Sequence, residues 1–281
     1  MINATLKKTV QYIWFLRAKV PFLNFPLPCI LPFGSMYLCW PDGMGLMFFF
    51  HRPYEKNEWQ FVAKFLKPKM TFFDVGANQG FYTLLAAKQV GPIGKVFSFE
   101  PVPSQIQKLV RNIQINRFHT VTTESLALGF KAGFADMYVC LDGDEALSSL
   151  RLPSNDITSA KKNIRVSVTT LDDYIKKHNI LAIDFIKIDV EGGELDVLKG
   201  ADNTIKNLRP IFMCEMQDIR TLPWGYKASE IYRFLKSYDY RWFKVSDSCT
   251  LVSAIDKEVY EISGENLIAI PKEKVNSLTS L

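Results

Sequence analysis

Apolar and polar positions follow two alternating periods along residues 58–270, and this pattern predicts strands and helices in turn. Short apolar runs bounded by turn residues predict strands, whereas apolar positions three or four apart predict helices. The predicted strands cover residues 71–75, 95–99, 120–126, 134–141, 164–168, 184–188, 210–214, 241–245 and 266–270. The predicted helices cover residues 58–66, 80–89, 103–116, 193–200 and 228–237, and another begins at Thr170. We therefore expect an α/β protein with a doubly wound, mostly parallel sheet of seven strands and helices on both faces.

The first 55 residues do not follow this alternation, and we expect them to form an apolar arm or lid that packs on a main domain of residues 56–281. Five prolines between residues 21 and 41 exclude a continuous helix there, and Phe48–Phe50 resembles a strand. The apolar run 9–16 is too short to span a bilayer, and no convincing signal-peptide cleavage site follows it. Basic residues flank Tyr12 and Trp14, so peripheral membrane contact through the arm is the alternative.

The composition of the chain indicates which binding partners and which cellular compartment to expect. Apolar residues make up 48% and charged residues 22% of the chain, which suits a globular domain with a sizeable core. The net charge of +5 is scattered without the basic stripe that nucleic-acid binding requires, so we expect no nucleic-acid partner. The five cysteines are widely spaced and odd in number, which argues against a structural zinc site or a disulfide framework. We expect a reducing, cytoplasmic location, with a membrane-peripheral one as the alternative.

Acidic residues follow four of the predicted parallel strands. Asp74, Glu100, Asp189 and Glu215 each stand where a strand ends. Because the carboxyl ends of parallel strands share one edge of a sheet, these carboxylates should gather at the crevice where such folds bind ligands. Glu100 follows Gly76 by 24 residues, which suits a carboxylate that accepts hydrogen bonds from ribose hydroxyls.

The turn after the first of these strands indicates the kind of ligand. Gly76 and Gly80 enclose three residues and can let a ligand approach the backbone. The spacing does not match the Gly-x-Gly-x-x-Gly pattern that places backbone amides against a pyrophosphate. Asp74 adds a carboxylate close to the turn. A nucleoside with a cationic centre and no phosphate fits this turn better, and S-adenosyl-L-methionine has those features.

Four motifs in this order resemble the FkbM-type S-adenosylmethionine-dependent methyltransferases of the class I, Rossmann-like fold. The motifs are Asp74-Val75-Gly76-Ala77-Asn78-Gln79-Gly80, Phe99-Glu100-Pro101, Thr170-Leu171-Asp172, and the run from Ile183-Asp184-Phe185-Ile186-Lys187-Ile188-Asp189-Val190-Glu191-Gly192-Gly193-Glu194 to Val197-Leu198-Lys199-Gly200-Ala201. The resemblance covers roughly residues 54–215 and fades on either side.

This resemblance implies a role for each matched segment. It implies that the turn holds the methionine part of the cofactor, through Asp74, Val75, Gly76, Ala77, Asn78, Gly80, Phe81 and Tyr82. It also implies that Glu100 and Pro101 contact the ribose and that Leu126 and Ala127 border the adenine. Asp189 should lie beside the first strand, close to the cofactor. Asn112 is a weaker carry-over and is expected at the surface.

Methyl transfer to a hydroxyl needs alignment and a proton acceptor, and the catalytic candidates are Asp189, Glu191 and Glu215. We expect Asp189 or Glu191 to accept the proton and Glu215 to orient the substrate. Asp189 and Glu215 could bind a metal through oxygen ligands, but the sequence offers no third ligand, so none is expected. Lys187 lies in an otherwise apolar strand and should have a carboxylate partner or reach the crevice at the end of the sheet. His51 is a candidate for substrate contact, whereas His119 and His178 are expected at the surface.

Three functional hypotheses remain at this level. The first is O-methylation of a hydroxyl on a sugar, glycan or related small metabolite. The second is a nicotinamide-dependent oxidoreductase, which the missing third glycine of the turn disfavours. The third is an inactive scaffold of the same fold, which would have no need of four carboxylates along one crevice. Specificity is expected from residues 1–55, residues 142–163 and the segment around Trp224, and the sequence leaves the oligomeric state open.

Overall fold

The computed structural model of the protein describes residues 4–254 and 263–278. The strands are β1 (Leu27–Ile30), β2 (Met36–Cys39), β3 (Thr71–Val75), β4 (Lys95–Phe99), β5 (Val121–Glu124), β6 (Ala127–Leu128), β7 (Gly133–Cys140), β8 (Lys161–Thr169), β9 (Phe185–Ile188), β10 (Ile211–Gln217), β11 (Tyr240–Val245), β12 (Leu251–Ser253) and β13 (Ser263–Pro271). The helices are α1 (Ala4–Lys19), α2 (Gly43–Phe49), α3 (Lys56–Phe65), α4 (Phe81–Val90), α5 (Pro103–Ile115), α6 (Leu171–Lys177), α7 (Glu194–Lys199), α8 (Asp202–Asn207), α9 (Asp218–Thr221), α10 (Ser229–Lys236) and α11 (Val275–Leu278).

A mostly parallel sheet in the order β12-β11-β13-β10-β9-β3-β4-β5 forms the centre of the molecule. The run from β10 to β5 is parallel, whereas β13 and β11 pair antiparallel to their neighbours. The predicted Rossmann-like α/β fold is therefore confirmed, with β9 beside β3 as expected. The sheet has eight strands where the sequence predicts seven, because Leu251–Ser253 pairs with β11. Three residues are too few to show an alternation that sequence reading can recognise.

Both faces of the sheet are buried, because neighbouring residues of a strand point to opposite sides. Phe72 belongs to an apolar cluster with Leu84 of α4 and Leu109 of α5. Phe73 belongs to the cluster on the other face, with Leu198 of α7 and Ile231 of α10 among its members. Strands that are apolar at every position are what two covered faces require.

The predicted segments 134–141 and 164–168 lie outside the main sheet. They correspond to β7 and β8, which pair antiparallel over eight residues and form a three-stranded sheet with the short β6. The predicted helix start at Thr170 is confirmed, because its side chain accepts a hydrogen bond from the amide of Asp173 at 3.0 Å.

The sequence suggests a strand at Phe48–Phe50, and this prediction is wrong. Phe48 and Phe49 end helix α2, and Phe50 is its carboxyl-terminal cap. The Asp42 carboxylate caps this helix by accepting from the amide of Gly45 at 2.7 Å. The Phe48 ring stacks on Phe81 of α4 at 5.1 Å. Three consecutive aromatic residues carry no period, so helix and strand cannot be distinguished from them alone.

The amino-terminal segment shares its core with the main domain. Tyr37, Leu46 and Phe48 belong to the same buried cluster as Leu84. Its polar contacts meet at Gln79, in the glycine turn. Gln79 donates to Asp42 at 2.8 Å and accepts from the Tyr37 hydroxyl at 3.0 Å. Lys108 of α5 also binds Asp42, at 2.6 Å.

Asn112 is fully buried, so its expected surface position is wrong. Its side-chain amide donates to the carbonyl of Gln79 at 2.8 Å and accepts from the amide of Leu38 at 2.8 Å. Asn116, one helical turn later, accepts from the amide of Met36 and donates to its carbonyl. Two asparagines of α5 thus form hydrogen bonds with backbone groups at the edge of β2. A local sequence pattern cannot predict these bonds, because the two segments are distant in sequence.

Replacing Asn112 should test how firmly the amino-terminal hairpin is held. Asn112→Ala leaves the Leu38 amide and the Gln79 carbonyl without their partner, so the free energy of unfolding should fall by about 1–3 kcal/mol. Urea denaturation measures this change. Gln114→Ala, at an exposed position of the same helix, should change stability by no more than about 0.5 kcal/mol. Equal effects of the two substitutions would contradict the assigned role of Asn112.

Candidate active site

A cavity of about 300 Å³ lies at the carboxyl ends of β3, β4, β9 and β10. This volume is in the range typical of small-molecule sites. The cavity lies where doubly wound sheets bind their ligands. All the residues that the sequence assigns to catalysis or to cofactor binding line it, namely Asp74, Val75, Gly76, Ala77, Asn78, Gly80, Phe81, Tyr82, Glu100, Pro101, Leu126, Ala127, Asp189, Glu191 and Glu215.

The glycines of the turn after β3 allow close packing within the protein. Gly76 has a φ of 82°, and a Cβ there would overlap the backbone oxygen of Asp189. Gly80 has a φ of 96°, and a Cβ there would overlap the side chain of Leu109. The missing side chains therefore admit β9 and α5, which differs from the expectation that they make room for a ligand.

The amides of this turn are used within the protein. The amides of Gly76 and Ala77 both donate to the carbonyl of Phe99, at 3.0 and 2.9 Å. The amide of Asn78 donates to Glu100 at 2.9 Å, and that of Gly80 to the carbonyl of Ala77 at 2.8 Å. A pyrophosphate site needs amides that point at the ligand. These four amides could bind a pyrophosphate only if their hydrogen bonds within the protein were broken first.

Glu100 is a buried carboxylate that also shapes the turn. Its two oxygens accept from the amides of Asn78 and Val102, at 2.9 and 2.8 Å. Burial raises the pKa of Glu100 to about 7, against the lowering effect of these two hydrogen bonds. Each carboxylate oxygen keeps a second lone pair, so Glu100 can accept further hydrogen bonds from a ligand in the cavity.

Lys187 lies at the centre of the sheet and is 3% exposed. Its ammonium forms an ion pair with Asp189 at 2.6 Å, as expected for a buried lysine, and lies 4.8 Å from the centre of the Tyr82 ring. Burial alone would lower the pKa of Lys187, but Asp189, Glu55 and Asp74 together raise it above its ordinary value. Lys187 is therefore charged, and it offsets the carboxylates around it.

Asp74 and Glu55 face this ammonium from two sides. Asp74 is 1% exposed and accepts from the hydroxyl of Thr83 at 2.6 Å. Glu55, at the junction of the amino-terminal segment and α3, accepts from the Tyr82 hydroxyl at 2.7 Å. Burial raises the pKa of both carboxyl groups, and Lys187 opposes the shift in each.

Three carboxylates lie together on the other side of Lys187. Asp189, Glu191 and Glu215 each place one oxygen within 4.8 Å of the others. Asp189 is held by Lys187, and Glu191 lies 3.2 Å from the guanidinium of Arg220, which also binds Asp156. Among the described residues, no cation lies within ion-pair distance of Glu215.

The pKa values of the two glutamates follow from this arrangement. Burial and repulsion from Asp189 raise the pKa of Glu191 to about 8, although Arg220 opposes the shift. Burial, followed by repulsion from Asp189 and Glu191, raises the pKa of Glu215 well above its usual range. Glu215, which has no cation within ion-pair distance among the described residues, is thus a carboxyl group whose surroundings favour its protonated form.

Carboxylate oxygens are also ligands for divalent cations, and this cluster supplies the third ligand that the sequence lacked. The positive charge that such a cation would bring is already supplied by Lys187 and Arg220. The sequence-based expectation of a site without metal stays a prediction.

The turn from Asp189 to Gly193 is fixed by residues that sequence reasoning missed. Glu194 accepts from the amides of Val190 and Gly192, at 3.0 and 3.2 Å. The Trp224 indole donates to the carbonyl of Glu191 at 3.3 Å. A glutamate that follows two glycines at a helix start is a signal for Glu194, because such carboxylates bind free amides. The position of Arg220 has no comparable local signal.

The segments expected to govern specificity supply much of the remaining wall. Met44, Tyr54 and Glu55 come from the amino-terminal segment, residues 145–148 and Leu150 from the loop after β7, and Trp224 from the turn after α9. His51 does not line this cavity but a separate groove beside α3. His119 and His178 are exposed, as predicted.

Comparison with known proteins places these residues within a family. The profile of the methyltransferase FkbM domain matches residues 74–242. The chain is 28% identical over 145 residues to Methyltransferase 1 of Beauveria bassiana, a match that covers 46% of this chain and 57% of that protein. It is 27% identical to the 2-O-methyltransferase NoeI of Sinorhizobium fredii, over 54% of this chain and 66% of that protein.

Two further matches are more distant. The hexuronic acid methyltransferase AglP of Haloferax volcanii is 22% identical, over 48% of this chain and 52% of that protein. The crystal structure of methyltransferase FkbM from Methylobacillus flagellatus gives a TM-score of 0.44 at 18% identity, over 72% of this chain and 43% of that chain. The chain thus spans about half to two thirds of the length of the curated relatives it matches. Because the family profile covers more than half of its 281 residues, the chain belongs to the methyltransferase FkbM domain family.

Proposed function

We propose that the protein is an S-adenosyl-L-methionine-dependent methyltransferase that methylates a hydroxyl group of a sugar, glycan or related small metabolite. The observation that carries the proposal is the cavity itself, where carboxylates line a glycine turn whose amides at Gly76, Ala77, Asn78 and Gly80 are already bonded within the protein. A sulfonium cation is favoured by carboxylates, whereas a pyrophosphate is disfavoured by them. The names of two relatives, a 2-O-methyltransferase and a hexuronic acid methyltransferase, support a hydroxyl of a sugar-type acceptor.

The cavity residues fit the parts of this cofactor. Asp74 and Asp189, with the turn Val75–Tyr82, would hold the methionine part near the negative end of the cavity. The free lone pairs of Glu100 would accept from the ribose hydroxyls, with Pro101 alongside. Leu126 and Ala127 would border the adenine with their apolar surface. The cofactor supplies a methyl group bound to a positively charged sulfur.

The protein contributes alignment and one proton transfer to the reaction. The bound cofactor would supply the methyl group to the acceptor oxygen; a carbon–oxygen bond would form as the carbon–sulfur bond breaks, and the electrons of the broken bond would stay on the sulfur and neutralise it. Alignment of two bound reactants can account for roughly 7–11 kcal/mol of the barrier. The hydroxyl proton must go to a base in the cavity.

We assign this base to Glu215, with Asp189 and Glu191 as its neighbours. Lys187 forms an ion pair with Asp189 at 2.6 Å, and Arg220 lies 3.2 Å from Glu191, so both carboxyl groups are engaged by a cation. Glu215 lacks such a partner among the described residues, and burial raises its pKa well above its usual range, which makes its ionised form a stronger proton acceptor. The assignment exchanges the roles expected from the sequence, because the positions of Lys187 and Arg220 become known only in the fold.

The nicotinamide alternative predicts a different ligand, and calorimetry distinguishes the hypotheses. Titration should give heat of binding with S-adenosyl-L-methionine and none with NAD. Binding of NAD alone would favour the oxidoreductase. Binding of neither ligand would favour a scaffold without activity.

Glu100→Gln should weaken cofactor binding. Loss of a charged acceptor for ribose hydroxyls should raise the Kd by about tenfold to a hundredfold, as measured by calorimetry. In the unsubstituted protein the affinity should fall as the pH drops below about 7, where Glu100 takes up a proton. Glu124→Gln, at the end of β5 and outside the cavity lining, should leave the affinity within about twofold. An unchanged Kd in Glu100→Gln would remove Glu100 from the pocket.

Glu215→Gln should slow turnover while sparing cofactor affinity. Loss of a positioned base lowers kcat by about 10²–10⁴-fold. The measurement is transfer of labelled methyl to a panel of hydroxylated sugars and uronic acids, followed by mass spectrometry. Before substitution kcat should rise with pH until Glu215 is ionised, because the base acts in its deprotonated form.

The pH profile separates the three carboxylates. Glu215→Gln should lose the rising limb, whereas Asp189→Asn should keep it at a lower kcat. Glu230→Gln, at an exposed position of α10, is the matched control and should change neither quantity. A rising limb that persists in Glu215→Gln would assign the base elsewhere.

A further inference from the structure

The first helix presents a stripe of apolar side chains to the outside. Tyr12, Ile13 and Leu16 of α1 are 69%, 54% and 43% exposed. The turn that follows adds Phe22, which is 80% exposed, together with Leu23 and Phe25. We call these six residues the amino-terminal patch. Six large apolar residues exposed within fourteen positions exceed the scattered exposure that is normal on a protein surface.

The opposite side of the helix is fixed to the protein. Trp14 is 4% exposed, its indole donates to the carbonyl of Asp42 at 3.0 Å, and its ring lies 5.1 Å from that of Phe49. The face of α1 that carries Trp14 therefore packs against the rest of the protein. The amino-terminal patch is left without a partner among the described residues.

Basic residues border the patch on both sides. With 100° between successive helical residues, Tyr12, Leu16 and Ile13 share one stripe. Lys8 and Lys19 then lie along one edge of the stripe, and Arg17 lies along the other. Arg17 also contacts the patch directly, because its guanidinium lies 5.4 Å from the Phe25 ring and donates to the Phe25 carbonyl at 2.7 Å.

The charge of the surrounding segment has one sign. Residues 1–41 contain four lysines or arginines and no aspartate or glutamate; the first carboxylate of the chain is Asp42. An apolar stripe between basic edges is the arrangement that binds an anionic lipid surface, with aromatic rings at headgroup depth. A second copy of the chain would bring the same positive charges face to face, which disfavours self-association through the patch.

We propose that the amino-terminal patch docks the protein on an anionic lipid surface, with α1 lying in the plane of the interface. Helices in the described part of the chain are each too short or too polar to cross a bilayer, so the contact is peripheral. The proposal does not depend on the proposed methyl transfer, because the patch and the cavity share no residue.

Vesicle sedimentation with the full chain tests the proposal. The protein should pellet with vesicles of phosphatidylcholine and phosphatidylglycerol, and much less with phosphatidylcholine alone. Rising salt should weaken binding, since exposed charges are screened beyond about 10 Å at 0.1 M ionic strength. A protein that stays in the supernatant with both compositions at low salt would overturn the proposal.

Two sets of variants locate the contact. Tyr12→Ser with Leu16→Ser and Phe22→Ser removes apolar surface. Lys8→Glu with Lys19→Glu reverses two charges, and because both positions are exposed these substitutions should not disturb folding. Each set should lower the partition onto anionic vesicles by about tenfold or more. Calorimetry with S-adenosyl-L-methionine and circular dichroism verify the fold of every variant.

Matched controls carry the same chemical changes elsewhere on the surface. Ile93→Ser with Phe130→Ser and Leu181→Ser removes three exposed apolar residues, and Lys131→Glu with Lys162→Glu reverses two exposed charges. Both controls should stay within about twofold of the unsubstituted protein. Equal losses in controls and patch variants would overturn the proposal. Conversion of a dimer to a monomer by the patch variants, with lipid binding unchanged, would also overturn it and assign the patch to a second copy.

Discussion

The buried ammonium of Lys187 is the constraint around which the cavity is organised. Moving one unpaired ion out of water costs several kcal/mol, so a lysine at the centre of a parallel sheet needs counter-charges in fixed positions. Asp189 supplies the closest one at 2.6 Å, while Asp74 and Glu55 complete the shell. These carboxylates come from β3, from the turn after β9 and from the junction before α3. One cation thereby fixes the relative positions of three segments that are distant in sequence.

The same cation divides the carboxylates of the cavity into two kinds. Asp189 is in direct contact with Lys187, at 2.6 Å. Glu215 has no cation within ion-pair distance among the described residues, and its pKa is raised by burial and by its neighbours. Carboxyl groups in such different electrostatic surroundings are suited to different tasks in one reaction. The division of roles proposed above follows from the placement of positive charge rather than from the type of acidic residue.

The central part of the fold and most of the candidate site could be predicted because their signals are local. A buried strand that ends in a carboxylate, followed by a glycine turn and a helix, fixes both the element and the edge of the sheet at which the carboxylate lies. The predicted residues around Gly76, Glu100 and Asp189 consequently line one cavity. The ion pair of Lys187 is one of the two outcomes that the sequence predicts, since a lysine in an apolar strand needs either a carboxylate partner or access to the crevice.

Interactions between distant segments could not be predicted in this way. Arg220 approaches Glu191 only after α9 has folded beside the turn that follows β9. Asn112 has the pattern of a surface residue, yet it is buried because β2 packs across α5. The three phenylalanines at 48–50 form a helix because Asp42 caps its start, a fact that their own pattern does not contain. Even the need for glycine at position 76 has a different cause from the expected one. The backbone of Asp189, rather than a ligand, occupies the space in which a side chain would lie.

The family match begins at residue 74, yet Met44, Tyr54 and Glu55 form part of the cavity wall. The residues to which we assign cofactor binding therefore belong to the shared domain, whereas part of the remaining wall comes from a segment outside it. Under the proposed function, such a division would let acceptor preference diverge between relatives by exchange of one segment. The hydrogen bonds from Tyr37 and Asp42 to Gln79 limit that exchange, because any replacement segment must bring its own partners for the glutamine side chain.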